Sequence, residues 1–320
     1  MRLGFAVKVL GHGGLPSHDA RRWQSGPHLQ VSLQYLEAIL GYLDENDIRM
    51  YRMATALAPY ASHPELPQFH RQVEECAGQL ERVGSLARTL AIRLSSHPGQ
   101  YTVLNSEDDG VVANAVAEIE VQAALMDAMG LARESVVVLH VGGAAGGPGA
   151  GADRFMRGFE RLSPAARARL VIENDDRVYG VGAVHALART AGIPVVFDLL
   201  HHHCHDPDRI DDRGALELAL STWRGAIPKV HFSSPRLDLA ERRKKVGRRV
   251  ERTVVFPELR AHADLIDPMA FEAFLRETST GLGDFDVMLE AKGKDLALLR
   301  LRDQLGTRGV TGGLAPAAVG

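Results

Sequence analysis

Arg169-Leu170-Val171-Ile172-Glu173 is a short β-branched apolar run that ends on a carboxylate. An amphipathic stretch follows at Val181–Ala191, and then a second run, Ile193-Pro194-Val195-Val196-Phe197-Asp198-Leu199, again with an acid near its end. Apolar runs of this length read as buried strands, and the longer periodic stretch between them reads as the helix of a βαβ unit. Two strands joined in this way lie parallel, because the crossover returns the chain to the same end of the sheet.

Outward from this unit the rhythm persists in both directions. Strand-like runs occupy Arg2–Val9, Ile48–Met53, Ala91–Ser96, Ser135–Val141, Ile227–Phe232 and Phe285–Glu290. Helical patterns fall at Val31–Leu43, Phe69–Leu90, Val111–Met129 and Met269–Thr278. Eight strands in 320 residues give about 40 residues per unit, the size of a βα repeat, and predict a single-domain (β/α)8 TIM barrel. A doubly wound open sheet is the structural rival. The barrel is expected to span residues 1–305, with an insertion at 233–260 and a Gly/Ala/Pro-rich tail at 306–320. Gly142–Ala152 reads as a loop, and Ser233–Arg260 as an irregular stretch too long for a simple connection.

Composition narrows the classes. Hydrophobic residues make up 45% and charged residues 24%, which suits a folded globular chain and excludes wholesale disorder. Two distant cysteines, Cys76 and Cys204, argue against a disulfide scaffold. No run reaches the ~18 apolar residues of a membrane helix. The opening segment, interrupted by Lys8, reads as a strand and not as a signal peptide, so a cytoplasmic protein is expected, with no membrane association. Lys+Arg number 37 and Asp+Glu 40, for a net charge of −3 that by itself gives no sign of nucleic acid. The average conceals Arg242–Arg252, where seven of eleven residues are basic. Such a run is either a solvated face or a phosphate-binding surface, and Arg242, Arg243, Lys244 and Lys245 are the candidate contacts.

The strand ends carry the chemistry. Strand three runs into His97, strand four contains His140, strand five ends at Glu173, and strand six ends at Asp198 with His201 three residues on. Strand seven contains His231 and strand eight ends at Glu290. In a barrel these ends open on one face, where catalytic groups gather. Any one of them has an ordinary reading, as a satisfied polar residue or, for Asp198 and Glu173, as a cap on the next helix. Six in register point to divalent metal, and mixed imidazole and carboxylate donors suit Zn²⁺, Mn²⁺ or Fe²⁺ better than Ca²⁺. Seven or eight donors suffice for two or three ions. In the run His201–His205 neighbours cannot all point inward, and Cys204 is a buried small residue or a soft ligand. Lys229 lies two residues before His231, on the same strand face, which puts an ammonium inside the barrel unless its pKa falls or it is carbamylated. Gln100 and Tyr101, on the turn after His97-Pro98-Gly99, either pack or form a wedge able to enter a base stack.

Together these residues resemble the UV damage endonuclease family. The resemblance rests on Ala61-Ser62-His63-Pro64, Ser96-His97-Pro98-Gly99-Gln100-Tyr101, Leu139-His140-Val141-Gly142-Gly143, Glu173-Asn174-Asp175, Asp198-Leu199-Leu200-His201-His202, Pro228-Lys229-Val230-His231 and Glu290-Ala291-Lys292-Gly293-Lys294, across roughly residues 50–295. It implies a TIM barrel that nicks damaged double-stranded DNA immediately 5′ to UV photoproducts, using divalent metal, most often Mn²⁺, with Zn²⁺ or Mg²⁺ as options. It further implies one ion on His97, His140 and Glu173, a second on Glu173, Asp198, His231 and Glu290, and a third on His201 and His262, with Lys229 near the latter two. Gln100 and Tyr101 would probe the duplex, and Glu173, Glu290, Lys229 and His63 would serve catalysis. A monomer with no obligate protein partner is expected. One departure stands out: where the family commonly has Leu-Gly-Tyr followed by an Asn, this chain has Leu3-Gly4-Phe5-Ala6-Val7-Lys8, which bears on the range of photoproducts accepted. The rivals are a metal-dependent sugar isomerase or epimerase on the same barrel, and an abasic-site endonuclease.

Overall fold

The structure is a computed structural model that describes residues 1–310 apart from Arg248, Ser279 and Thr280. Eight parallel strands form one sheet: β1 (Leu3–Ala6), β2 (Met50–Arg52), β3 (Arg93–Ser95), β4 (Val137–His140), β5 (Leu170–Glu173), β6 (Val195–Asp198), β7 (Lys229–Phe232) and, after a two-stranded excursion β8 (Ala240–Val246) and β9 (Arg249–Val255), β10 (Asp286–Leu289). Their order is β3-β2-β1-β10-β7-β6-β5-β4, and a parallel bridge between Ser96 and Val137 joins the two ends into a barrel. This is the expected (β/α)8 architecture, and it excludes the open doubly wound sheet. Each expected strand is present but shorter.

Two cores follow from the pleat. Outward-facing strand residues such as Val137, Leu139, Leu170, Ile172, Val195 and Phe197 pack with the helices in one continuous shell. Inward, Val136, Val138, Val171 and Val196 join Trp223 in a separate plug. Because side chains alternate with period two, the residues directly above Val138, Val171 and Val196 on the inner face are His140, Glu173 and Asp198. The apolar plug therefore floors the ligand layer.

Four connections depart from the sequence reading. The helix expected over Phe69–Leu90 is broken: Gln72–Glu75 and Ala77–Thr89 are separate helices that meet at Cys76. Buried Gln72 pins the break, accepting from the Leu29 amide at 2.7 Å and donating to the Pro59 and Phe69 carbonyls. Within the stretch read as the loop Gly142–Ala152, a helix begins at Pro148 and runs to Phe159. Its glycines serve close packing: a Cβ on Gly151 would fall 2.1 Å from the Tyr179 hydroxyl, and one on Gly158 2.3 Å from the Leu104 carbonyl. The insertion at 233–260 is not irregular, since it holds the antiparallel ribbon β8–β9. The last helix, Lys294–Thr307, runs past the expected start of the tail at 306, and residues 311–320 lie outside the described residues. No helix among the described residues is long and apolar enough to cross a membrane.

Candidate metal centre

At the C-terminal end of the barrel the strands deliver their last side chains to one point. Glu173 is at the centre and fully buried. Its Oε2 lies 2.9 Å from His97 Nε2 and 3.7 Å from His140 Nε2; its Oε1 lies 2.7 Å from His231 Nδ1 and 3.6 Å from His201 Nδ1. His231 Nδ1 is also 3.4 Å from Glu290 Oε1. Donor atoms within 4.8 Å of one another define three triads: His97, Glu173, His231; His140, Glu173, His201; and Asp198, His231, Glu290. Gly142, just beyond His140, takes a positive φ of 105°, and a Cβ there would meet Asn105 Oδ1 at 2.3 Å, so the chain turns away once the imidazole is placed.

Whether these residues suit metal is decided by which of their atoms have protein partners. His231 Nε2, His140 Nδ1 and Asp198 Oδ2 are buried with no hydrogen-bond partner. A buried donor or acceptor left unpaired costs about 1–3 kcal/mol, and three of the eight such atoms among the described residues belong to this cluster, which suits a site completed by something else. Asp198 shows both of its sequence readings at once. One oxygen caps the helix Leu199–Cys204 by accepting from the His201 amide at 2.8 Å, and the other is the unpaired Oδ2. The donor set and the orphaned atoms fit divalent cations.

The electrostatics set the protonation of the cluster with no cation bound. Burial drives His97 down to about 4, so it is the neutral imidazole a ligand must be. Burial also pushes Glu173 up, but the His231 and His140 imidazoles outweigh it and hold the carboxyl well below its usual range. Burial would likewise lift Glu290; the Arg52 guanidinium, hydrogen-bonded to it, keeps it ionised. Asp198 is raised by burial. His201 is lowered by burial but raised more by Asp198, Glu173 and Glu290, to about 9.

Of the residues singled out in the sequence, His97, His140, Glu173, Asp198, His201, His231 and Glu290 come together, while others stand apart. The triad Asp198, His231, Glu290 lies within the second family-implied set, while the other two place His97 beside His231 and His140 beside His201 around Glu173. His262 is at the edge, its Nδ1 3.7 Å from Glu290 Oε2 and its ring 6.2 Å from that of His201, outside all three triads. Lys229 is fully buried below the mouth and donates to Ser95 Oγ at 3.1 Å. Burial, with Arg52 and Arg93 nearby, holds its amine well below the ordinary range. His63 is exposed and lines a cavity of about 830 Å³ with Tyr60, Ser62, Thr102 and Tyr101, not the ligand cluster. Tyr101 is 84% exposed on the Gly99–Thr102 turn, which excludes the packed reading. Cys204 lines a second cavity with Leu199, Leu200 and Phe232 and belongs to no triad. His202 instead bonds the Ile210 carbonyl, and His203 bonds Asp212. Arg242, Arg243, Lys244 and Lys245 lie on β8, exposed.

Three positions escaped the sequence reading. Arg52 at the end of β2 holds Glu290. Asn174 brackets Asp198, donating to its carbonyl at 2.9 Å and accepting from its amide at 2.8 Å. Ser95 receives Lys229. Arg52 is in strand register with Ser95, so a strand-end rule that admitted cations as well as ligands would have found it.

A parallel barrel with a cluster of His, Glu and Asp at its C-terminal mouth defines a metal-dependent enzyme of the TIM-barrel class. The family model described as UV-endonuclease UvdE matches residues 29–312, and the chain belongs to this family. It is 33% identical over 290 residues to a UV DNA damage endonuclease of Bacillus mycoides, covering 88% of this chain and 84% of that one. The crystal structure of SacUVDE superposes with a TM-score of 0.79 at 27% identity, over 97% of this chain and 99% of that one. A 3-keto-D-glucoside 4-epimerase from E. coli shares the fold at TM-score 0.56 and 10% identity, over 97% and 99% of the two chains.

Proposed function

We propose that this protein is a metal-dependent DNA repair endonuclease that nicks the backbone of damaged duplex DNA 5′ to UV photoproducts, leaving 3′-hydroxyl and 5′-phosphate ends. The observation that carries the reading is the three-triad cluster around Glu173, with its unpaired His231, His140 and Asp198 atoms, in a chain of the UvdE family. Two or three ions, most fittingly Mn²⁺, would be held by His97, His140, Glu173, Asp198, His201, His231 and Glu290, with His262 at the rim. Divalent metal in such a site supplies an activated water near neutral pH and neutralises charge on the phosphate oxygens.

The chain's own residues do the rest. Arg52 keeps Glu290 ionised, and Asn174 fixes the orientation of Asp198. Gln100 and Tyr101, exposed on the turn that directly follows His97, enter the base stack and hold the lesion at the mouth. Selectivity arises because a photoproduct already weakens stacking and pairing, which lowers the cost of extrusion. Lys229 lies under the ligands; a carbamate on its nitrogen would add a carboxylate at the centre, and intact mass showing only unmodified lysine in active protein would rule that out.

The test is a plasmid nicking assay with Mn²⁺, on UV-irradiated and untreated supercoiled DNA, with and without chelator. Irradiation-dependent, chelator-sensitive nicking is expected. Equal nicking of both plasmids, or none with turnover of a ketose instead, would overturn the reading.

A further inference from the structure

The ribbon β8–β9 has features that the metal centre does not explain. Its 240–255 sequence carries seven basic residues against two acidic ones. Its register places Arg242 opposite Thr253 and Lys244 opposite Glu251 on one face, and Glu241 opposite Val254, Arg243 opposite Arg252 and Lys245 opposite Val250 on the other. Both faces are open to solvent, with Val250 and Val254 58% and 66% exposed among the charges. A two-stranded ribbon without a buried face is marginal alone. Arg243 and Arg252 are directly opposed like charges, bridged by Glu241 at 2.9 and 3.4 Å. Positive charge therefore projects from both faces. A surface that only lay across one backbone would need it on one.

The stem of the ribbon ends in the metal mouth. Pro235 pairs with His262, the Arg236 amide donates to the Ala261 carbonyl at 2.6 Å, and the Ala263 amide donates to the Ser234 carbonyl at 2.8 Å. The arm thus leaves the barrel from the residue that faces Glu290.

We infer that the ribbon is a duplex-reading arm that enters the major groove edge-on beside the cut, with its two faces meeting the two phosphate rails. This rests on the DNA-nicking reading above. Entering edge-on, the ribbon spans the groove with the thickness of its two side-chain faces, about 10 Å, which suits a groove about 12 Å wide and is excluded from one about 6 Å wide. Seven residues reach roughly 23 Å, which is about seven base pairs of flanking duplex.

The experiment uses the full-length protein and lesion duplexes whose flank on one side or the other is lengthened from about 4 to about 12 base pairs, a change that spans the ribbon's reach. Wild type should bind about tenfold tighter when the flank on one side grows, and should protect guanine N7 there from methylation. R242Q/K244Q and R243Q/K245Q should each lose part of that gain, and the quadruple variant should flatten the salt slope by roughly 3–4. Circular dichroism melting of each variant reports folding independently. No N7 protection, a gain carried by one face alone, or a gain that survives the quadruple variant overturns the inference. If wild type nicks no irradiated DNA at any flank length, the parent reading fails, and the ribbon inference with it.

Discussion

The barrel buries charge at both ends, in opposite states. At the N-terminal end Arg93 meets Asp286 at 2.9 Å, donates to the Glu134 carbonyl, and lies over the Trp223 ring at 5.6 Å; Asp286 also accepts from the Arg2 amide at 2.7 Å. At the C-terminal end a set of acids and imidazoles around buried Glu173 leaves three atoms without partners, His231 Nε2, His140 Nδ1 and Asp198 Oδ2, against Arg93 Nη2 alone in the N-terminal set. Two strands carry members of both sets, four residues apart: Arg93 and His97, and Asp286 and Glu290. A network in which a cation and an anion pair directly is a structural device, whereas imidazole and carboxylate donor atoms gathered around one point are a site. The lesson is that the chemistry of the gathered atoms, more than burial or charge alone, separates stability from function within one barrel.

The contrast is broken most directly at Glu173. Lewis-acid stabilisation is worth several kcal/mol, and 1.36 kcal/mol is tenfold in rate, so Glu173→Gln should lower nicking on the order of 10³-fold. Its metal-free unfolding midpoint in urea should move far less than that of a floor variant. Asp286→Ala should do the reverse: leaving Arg93 buried and unpaired costs about 3 kcal/mol, read by urea unfolding, with specific activity retained in the folded protein. If Asp286→Ala abolished nicking at full stability, the division between the two ends would be wrong. Mn²⁺ at 100 times its dissociation constant should stabilise the wild type by about 2.7 kcal/mol, measured as a melting shift reversed by chelator. The Glu173→Gln variant should show much less of it. Asn174→Ala, which frees Asp198 to turn, should weaken Mn²⁺ binding roughly 10–100-fold by calorimetry while leaving the floor intact.

A third charge cluster, outside the barrel, calibrates the comparison. Asp19 is held at about 2, chiefly by its hydrogen bond from Arg21 and against the opposing effect of burial, with help from the His28 amide. A depressed carboxyl contributes stability above its unfolded pKa near 3.8, and that contribution is lost as pH falls toward 2. Arg21 is half exposed, so solvent screens the pair. The stability gap between wild type and Asp19→Asn should therefore close across this acid window, and a gap independent of pH would remove the ion pair from the account.

Much of this was legible in the chain. Apolar runs fall where all eight barrel strands form, and seven ligand candidates at strand ends converge because parallel strands share one direction. What was not legible depends on geometry between distant segments. Arg93 and Asp286 are 193 residues apart and pair only because β3 and β10 close around the same axis. Arg52 carries no ligand chemistry and so escaped a search for metal donors. The assignment of histidines to triads depends on which rings lean together over Glu173, a matter of ångströms that spacing does not encode. The ribbon was hidden because its charges mask the alternation that marks a half-buried strand. In the Gly-rich helix at Pro148–Phe159, glycine meant close approach and not a turn.

The bridge between Ser96 and Val137 takes on a further meaning from its neighbours. It is a single registered pair, held by the Ser96 amide to the Val136 carbonyl and the Val138 amide to the Ser96 carbonyl, where other adjacent strands share two to four pairs. His97 and His140 stand immediately above it, one on each side, with ring centroids 5.2 Å apart. Cations held on His97 and on His140 through their common neighbour Glu173 would therefore strap the thinnest seam of the barrel, and slower hydrogen exchange at the Ser96 and Val138 amides on adding metal would register it.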